Sequence, residues 1–272
     1  MSSNRSKSVL RPRLLFLYLV LITSLAIGAY SFYSLYRERQ ITNQALDYYA
    51  NLVMATLPPP TAPPTQEATE ADPPPPWQPL ADFAKLKETM PDIIAWIKSA
   101  NTIVDYPVVQ TKDNDFYLSY LPNQTWNPSG SIFIDYRNAA DFTSKNTLVY
   151  GHHLRSGDMF SLLVNYRSQT YYEEHPVFTL HTAHRDYDIV LFAGFLISPA
   201  VEVPPLEFAN ATAFLDYVQK CRERSHFTAP VEVTAEDTLV TLITCDFAID
   251  DGRYILIGKL VVTGELAQAV GE

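Results

Sequence analysis

Residues 14–36 read LLFLYLVLITSLAIGAYSFYSLY and contain no charged side chain over 23 positions. A helix of this length crosses a hydrocarbon core of about 30 Å. The alternative is a cleaved signal peptide, because Ala26, Gly28 and Ala29 loosely resemble a cleavage site, but the apolar region of a signal peptide normally has only about 7–15 residues. The sequence therefore predicts a retained transmembrane anchor, and the rest of the chain must fold outside the bilayer.

The basic residues on either side of this span predict its orientation. Four of them precede the span and two follow it closely, namely Arg5, Lys7, Arg11, Arg13, Arg37 and Arg39. The more basic flank of a membrane helix remains in the cytoplasm. We therefore expect a cytoplasmic N-terminus at residues 1–13, a single pass of the cell membrane at residues 14–36, and the remaining chain on the extracellular face.

The charge beyond the span excludes one class of partner. Four of the 20 Lys and Arg residues precede the span, which leaves 16 against all 30 Asp and Glu residues, a net charge of −14. Binding to nucleic acid requires basic side chains that neutralise phosphates. We therefore expect no nucleic acid partner.

A proline-rich segment separates the predicted anchor from the folded part of the chain. Ten of the 20 prolines lie in residues 58–79, and this composition favours an extended polyproline II chain without a core. The residues before them are expected to continue the anchoring helix for some turns. The sequence thus predicts an extracytoplasmic stalk and linker at residues 37–79, a folded domain at residues 80–264 and a C-terminal tail at residues 265–272.

The folded domain has the pattern of a mainly β protein. It opens with ADFAKLKETMPDIIAWIKSAN, where Pro91 and Asp92 mark a break between two predicted short helices. The apolar faces of these helices are expected to pack on a sheet through Phe83, Leu86, Ile93, Ile94 and Ile97. Seven strand-like runs follow, most of them bounded by Pro, Gly, Asn or Asp: TIVDYPVVQ, SGSIFIDYR, NTLVYGHH, PVFTLHTA, DYDIVLFAGFLIS, DTLVTLITC and RYILIGKLVV. They predict a mainly antiparallel β-barrel that is closed or nearly closed.

One helix is predicted between the late strands, in NATAFLDYVQKCRERS. Its apolar residues Phe214, Tyr217, Val218 and Cys221 recur at helical spacing on one face. Cys221 is therefore predicted to be a packed core thiol. The exported location also permits one disulfide between Cys221 and Cys245, whereas two cysteines cannot form a disulfide framework.

Two strand-like runs end in reactive side chains. VYGHH carries His152, and TLITC carries Cys245, which Arg253 follows eight positions later. A thiol becomes an effective nucleophile where a nearby cation favours the thiolate. In an acyl transfer, Cys245 could attack a carbonyl, His152 could protonate the departing amine, and Arg253 could bind the substrate or oxyanion. The other interpretation is a buried Cys245 and a structural Arg253 paired with a nearby aspartate, and spacing alone leaves both open.

A metal site is not predicted from these residues. His152, His153 and Cys245 could approach one another, but zinc requires three or four ligands, and no further Cys or carboxylate pattern completes the set. The aspartates on either side of Asn114 lack the glycine and glutamate spacing of an EF-hand loop. We therefore expect neither a metal nor a cofactor.

The sequence also resembles a known family, the sortases, which are cysteine transpeptidases of Gram-positive cell surfaces. The resemblance rests on NTLVYGHHLRSGDMF, TLITC and GRYILIGKL, in this order. Within the family the chain is most similar to class B, through MPDIIAWIK, TIVDYPVVQ, NDFYL, GSIFIDYRN and the helix inserted at residues 211–224. The similarity spans the whole folded domain and implies a sortase-like mixed β-barrel with N-terminal helices and one inserted helix.

The resemblance implies a role for individual residues. The histidine that directly follows Tyr-Gly is the catalytic one, so His152 rather than His153 carries that role. The nucleophile is Cys245 and the catalytic arginine is Arg253. Substrate binding is implied for three further residues, which are Asn114, Leu118 and Thr244. Many class B enzymes read Thr-Leu-Ser-Thr-Cys, whereas Ile243 stands here in place of the serine, so the sorting motif is not carried over in full.

The activity that the resemblance implies is cleavage of a C-terminal sorting signal of the Asn-Pro-x-Thr-x type after its threonine, with a thioester on the cysteine. The accepting amine would come from lipid II or from a pilin lysine, so the protein would anchor secreted proteins to the cell wall or assemble pili. Two alternatives stay open at this point. One is a surface cysteine protease that uses water as the acceptor, and the other is a non-catalytic binding module close to the wall.

Overall fold

The computed structural model describes residues 12–56, 77–198, 200, 202–246 and 252–265, with all of their side chains except those of residues 12, 13, 53–56, 245, 246 and 265. The predictions for the cytoplasmic N-terminus, for most of the proline-rich linker and for nearly all of the C-terminal tail fall outside these residues. The chain divides into two units, Met1–Leu46 and Asp47–Glu272. The second unit contains the barrel.

The first helix, α1, is a single element of 45 residues, Pro12–Thr56. It continues well past the uncharged stretch, so the predicted continuation of this helix beyond residue 36 is confirmed. Its segment Leu14–Leu52 is long and apolar enough to cross a membrane, as judged from length and composition. The last ten residues of α1 belong to the same unit as the barrel.

Eight strands form a closed barrel, which confirms the predicted fold class. They are β1 (Ile93–Lys98), β2 (Asp105–Val109), β3 (Ile132–Ile134), β4 (Asn146–Tyr150), β5 (Val177–Thr182), β6 (Arg185–Ile197), β7 (Leu239–Asp246) and β8 (Gly252–Glu265). Their order around the barrel is β1-β2-β3-β4-β7-β8-β6-β5. Two neighbouring pairs, β2 with β3 and β4 with β7, are parallel, and all other pairs are antiparallel.

The prediction of a second short helix after Pro91 is wrong, because residues 93–98 form strand β1. Ile93 and Ile97 lie at helical spacing, which favoured a helix in the sequence. The strand pairs with β2 on one side and β5 on the other, and Ile93, Ala95, Trp96 and Ile97 are all fully buried. A strand covered on both faces shows no polar alternation, so only its β-branched composition distinguishes it from a buried helix.

In the described residues, three more helices and two 3-10 segments complete the fold. The helices are α2 (Phe83–Thr89), α3 (Gln169–Glu174) and α4 (Ala211–Arg224), and the 3-10 segments are Phe116–Leu118 and Ser161–Arg167. Helix α2 begins after Asp82, whose carboxylate accepts a hydrogen bond from the Lys85 amide at 3.1 Å. Helix α4 starts in the same way, because the side chain of Asn210 accepts from the Ala213 amide at 2.9 Å.

Helix α4 lies where the sequence placed the inserted helix, and Cys221 packs in the core as predicted. The residue is 2% exposed, and burial raises the pKa of its thiol to about 12. Cys221 is a free cysteine, so the disulfide with Cys245 is not formed. A thiol with this pKa carries almost no thiolate near neutral pH, which leaves Cys245 as the cysteine available for chemistry.

Candidate active site

The parallel pairing of β4 and β7 places the three predicted catalytic positions at one end of the barrel. Tyr150 of β4 is aligned with Ile243 of β7, and the Gly151 amide donates to the Ile243 carbonyl at 3.0 Å. Parallel strands end at the same edge of a sheet, so the residues that follow these partners lie side by side. His152 comes two residues after Tyr150, and Cys245 comes two residues after Ile243.

Strand β8 brings the third position to the same place. In the antiparallel pairing of β7 with β8, the backbone of Cys245 lies opposite Arg253. The Arg253 side chain is half-buried, and its guanidinium donates to the Gly252 carbonyl at 3.1 Å. The backbone thus gathers His152, Cys245 and Arg253 from three neighbouring strands, although they are distant in sequence.

The imidazole of His152 has a specific hydrogen-bond partner. Its Nε2 lies 2.7 Å from the backbone carbonyl oxygen of Leu118. A carbonyl oxygen only accepts hydrogen bonds, so Nε2 carries a hydrogen and donates it. In the neutral ring Nδ1 is then the basic nitrogen, and in the protonated ring Nδ1–H is an acid that can be delivered elsewhere. The contact with Leu118 therefore orients the ring and assigns the exchangeable proton to Nδ1.

Gly130 packs directly against this hydrogen bond. Its φ is +60°, a conformation that L side chains rarely adopt. A Cβ at this position would lie 2.9 Å from Cδ2 of His152, 2.9 Å from the Leu118 carbonyl oxygen and 2.7 Å from the Tyr117 carbonyl oxygen. The missing side chain thus lets the backbone of residue 130 touch both partners of the histidine hydrogen bond.

Gly151 has a similar steric role on the other side of the histidine. A Cβ there would lie 2.5 Å from Cδ1 of Ile132 and 2.7 Å from the ring of Phe160. The Phe160 amide in turn donates to the His152 carbonyl at 3.1 Å. Close packing at residue 151 therefore fixes the backbone from which the imidazole extends.

His153, the residue directly after His152, takes part in backbone pairing. It forms an isolated antiparallel bridge with Met159 across the loop that follows β4. The loop turns at Gly157, whose φ is +92°. Of the two adjacent histidines, His152 is the one whose ring bonds to Leu118 at the end of β4.

A buried carboxylate lies next to the site, and sequence reasoning missed it. Asp135 is fully buried. It accepts hydrogen bonds from the Nε and a terminal nitrogen of Arg137, both at 2.8 Å. It also accepts from the Asn114 side chain at 3.0 Å and from the Tyr150 hydroxyl at 3.2 Å. Burial alone would raise the pKa of Asp135, but the hydrogen bonds from Arg137 and Asn114 outweigh it and lower this pKa to about 2. The sequence signal was an Asp and an Arg two residues apart directly after a buried strand.

Tyr150, the last residue of β4, shares a hydrogen bond with this carboxylate. Burial and the charge of Asp135 raise the pKa of Tyr150, whereas the charges of Arg137 and Arg253 lower it. Asp135 and Tyr150 thus form a hydrogen-bonded polar pair at the end of β4.

The residues for which substrate binding was implied occupy three different environments. The Leu118 side chain is 40% exposed, while its carbonyl holds His152. The Asn114 side chain is engaged at both ends, since it donates to Asp135 and accepts from the Tyr136 amide at 3.0 Å. Thr244 is 1% exposed, and its buried hydroxyl has no hydrogen-bond partner among the described residues. Leu118 is therefore the only one of the three with an open side chain and a direct contact to the histidine.

Metal ligands do not cluster in the described part of the chain. No group of three or more His, Cys, Asp or Glu side chains within it could hold a metal ion. The arrangement that the described residues do form is an oriented imidazole beside a cysteine-bearing strand and an arginine. Such an arrangement can perform nucleophilic acyl transfer.

Known proteins resemble this chain in both sequence and fold. No protein-family model matches it. Over 184 residues it is 37% identical to Sortase B of Listeria monocytogenes serovar 1/2a (strain EGD-e), across 67% of this chain and 74% of that protein. The Staphylococcus aureus sortase B-substrate complex is 29% identical, with a TM-score of 0.64 over 67% of this chain and 85% of that one. A Bacillus anthracis protein described as similar to sortase B is 28% identical, with a TM-score of 0.64 over 84% of this chain and 97% of that one.

Proposed function

The chain belongs to the class B sortases, and from this premise we propose that it is a membrane-anchored cysteine transpeptidase acting on secreted proteins. The observation that carries the proposal is the strand register at the end of the barrel. It aligns the backbone of Cys245 with Arg253, and it pairs Tyr150, two residues before His152, with Ile243, two residues before Cys245. The substrate would be a C-terminal sorting signal of the Asn-Pro-x-Thr-x type, cleaved after threonine.

In the first half of the reaction, the thiolate of Cys245 attacks the threonine carbonyl carbon. A thioester forms, the peptide C–N bond breaks, and the departing amine takes a proton from Nδ1 of His152. Arg253 would stabilise the oxyanion or hold the substrate backbone by hydrogen bonds. The hydrogen bond from Nε2 to Leu118 supports this role for Nδ1, because it leaves that nitrogen free of the backbone.

In the second half, an amine attacks the thioester and releases the cysteine. His152 would accept the proton from the incoming amine, so the imidazole returns to its starting state. Lipid II would give wall attachment and a pilin lysine would give a polymer. Water as the acceptor would make the protein a cysteine protease, which is the second candidate.

Anchoring at the membrane would favour transfer to an amine over hydrolysis by water. Helix α1 carries a segment apolar enough to cross a membrane, and the basic residues before it predict a cytoplasmic N-terminus. A secreted substrate held by its own hydrophobic tail and lipid II would be confined to the same surface. Confinement raises their effective concentrations without stronger contacts.

The test uses the full chain in detergent or lipid nanodiscs, with a library of Asn-Pro-x-Thr-x peptides and a short amine such as triglycine. Intact mass measurements are expected to show a thioester on Cys245, and product masses to show peptide joined to the amine. Cys245→Ala should form no thioester, whereas the matched variant Cys221→Ala should still form it. Hydrolysed peptide alone, at saturating amine, would support the protease instead.

A library that leaves the wild-type enzyme unmodified would contradict the proposal if Cys245 also failed to react with a small thiol-directed reagent under native conditions. That result would favour the non-catalytic binding module. A reactive Cys245 with no thioester would show that the motif lies outside the library, and a wider library would follow.

A further inference from the structure

The end of helix α1 touches the active-site region through one tyrosine. Tyr49 belongs to the same unit as the barrel and is 5% exposed. Its hydroxyl donates a hydrogen bond to the Gly130 carbonyl oxygen at 2.8 Å, 81 positions later in the chain. A residue of the stalk helix thus holds the backbone at Gly130.

Gly130 is in contact with His152 on its other side. Its Cα leaves so little space that a Cβ would lie 2.9 Å from the imidazole and 2.9 Å from the Leu118 carbonyl oxygen. The same carbonyl accepts the hydrogen bond from Nε2 of His152. A shift of the Gly130 backbone would therefore move the ring, its acceptor, or both.

A second route leads from Tyr49 to the histidine backbone. The Tyr49 ring stands edge-on to the ring of Tyr106, with centroids 5.1 Å apart and planes at 88°. The Tyr106 hydroxyl accepts a hydrogen bond from the Met159 amide at 3.2 Å. The next residue, Phe160, donates its amide to the His152 carbonyl at 3.1 Å. Tyr49 thus supports both the ring and the main chain of His152.

We propose that Tyr49 is a positioning residue for His152, so that the C-terminal end of α1 completes the active site of the barrel. The proposal rests on the proposed function, because it assigns His152 the proton transfers of a transpeptidase. It also gives α1 a role besides anchoring. A chain whose helix end is undocked would bind peptide and transfer it slowly.

Tyr49→Phe in the full chain is the direct test, because it removes only the hydroxyl and keeps the ring against Tyr106. We expect kcat to fall about fivefold, the effect of losing one hydrogen bond that acts on a transition state, while KM for the peptide stays within about twofold. A merely structural tyrosine would lower the melting temperature without this separation of kcat from KM.

Tyr48→Phe is the matched control. Tyr48 is adjacent on the helix and its ring contacts Tyr49, but the hydroxyl that binds the Gly130 carbonyl is that of Tyr49 and not that of Tyr48. We expect wild-type kcat and KM for this variant. Equal losses in both variants, or wild-type kcat in Tyr49→Phe, would overturn the proposal.

Two further measurements keep the outcomes distinguishable. If Tyr49→Phe does not fold, Tyr106→Phe is the deciding variant, because it removes the acceptor of the Met159 amide. We expect it to lower kcat about twofold with KM unchanged. An unchanged kcat would contradict the proposal. Intact mass of the wild-type chain reports the thioester in the same assay. A thioester together with a wild-type Tyr49→Phe refutes only the role of Tyr49, whereas no thioester with an unreactive Cys245 refutes the function and this inference with it.

Discussion

The barrel has a histidine at each of its two ends, and the two rings are held by different kinds of group. At the active-site end, Nε2 of His152 donates to the neutral carbonyl of Leu118. At the other end, Nδ1 of His181 lies 2.8 Å from the Asp186 carboxylate, and the same carboxylate accepts from the Trp77 indole at 2.7 Å. Strand β8 joins the two ends, from Arg253 to Gly264.

The two sets of contacts have different roles: those of His152 orient a ring, whereas those of His181 stabilise the fold. His181 and Asp186 are directly opposed on neighbouring strands of one hairpin, and Trp77 fits against Gly264, where a Cβ would meet the indole at 2.1 Å. This end is a local clamp of side chains that joins the linker to the barrel. His152 instead relies on backbone groups from distant segments, which orient the ring and place no fixed anion on it.

The largest effect is expected when the two histidines are replaced in turn. His152→Ala should lower kcat/KM by about 10²–10⁴-fold, because general acid-base catalysis contributes this much. His181→Ala should change it less than about threefold and mainly lower the melting temperature. His153→Ala should also retain far more activity than His152→Ala. Similar losses of kcat/KM in His152→Ala and His181→Ala would show that the two histidines do not differ in role.

The second effect concerns the carboxylate next to the active site. The pKa of Asp135 is lowered to about 2 from the ordinary value of 3.8, so Asp135 stabilises the fold above about pH 4, and this contribution is lost as the pH falls toward 2. It amounts to about 2 kcal/mol. Asp135→Asn should lower the free energy of unfolding at pH 7 by about this amount, as measured by urea denaturation.

The matched variant for this measurement is Asp186→Asn at the other end of the barrel. It removes a carboxylate that accepts from the Trp77 indole, so it controls for the loss of a hydrogen-bond acceptor elsewhere in the barrel. If wild type and Asp135→Asn lose stability in parallel between pH 4 and pH 2, the pKa of Asp135 is not lowered by folding.

The third prediction separates the effect of contact with the His152 ring from the effect of backbone strain at a glycine. Gly130→Ala and Gly157→Ala both place a side chain at positive φ, but a Cβ at residue 157 meets nothing within 4 Å. Both variants should lose about 1 kcal/mol or more of stability. Only Gly130→Ala should also lower kcat, by about tenfold, because its methyl group displaces the His152 ring. Equal kcat values in the two variants would remove Gly130 from the support of the histidine.

The smallest effect is expected at the clamp. Trp77→Phe keeps an aromatic ring against β8 but removes the donor to Asp186. The melting temperature should fall by a few degrees, in line with a loss of about 1 kcal/mol for one hydrogen bond. kcat/KM should match the wild type when measured in the same nanodiscs. A clear loss of activity would show that the two ends of the barrel are coupled.

The sequence was sufficient for most of the fold because hydrophobic runs mark the strands of a barrel. It failed at β1, where burial on both faces hides the alternation, and it could not give the parallel pairing of β4 with β7. From spacing alone, the meeting of His152 and Cys245 stayed open, and only the resemblance to sortases implied it. The cluster around Asp135 and the contact of Tyr49 with Gly130 depend on tertiary packing, which no local pattern encodes.

The parallel pair β4 and β7 also has a consequence for folding. Val149 is aligned with Leu242, 93 positions later, and the connection contains β5, β6 and α4. Contacts between residues so far apart in sequence close large loops and form slowly. Because synthesis proceeds from the N-terminus, His152 is made long before the strand that carries Cys245. An unfinished chain therefore exposes an imidazole without its thiol, and its reactive centre is assembled only when the last two strands close the barrel.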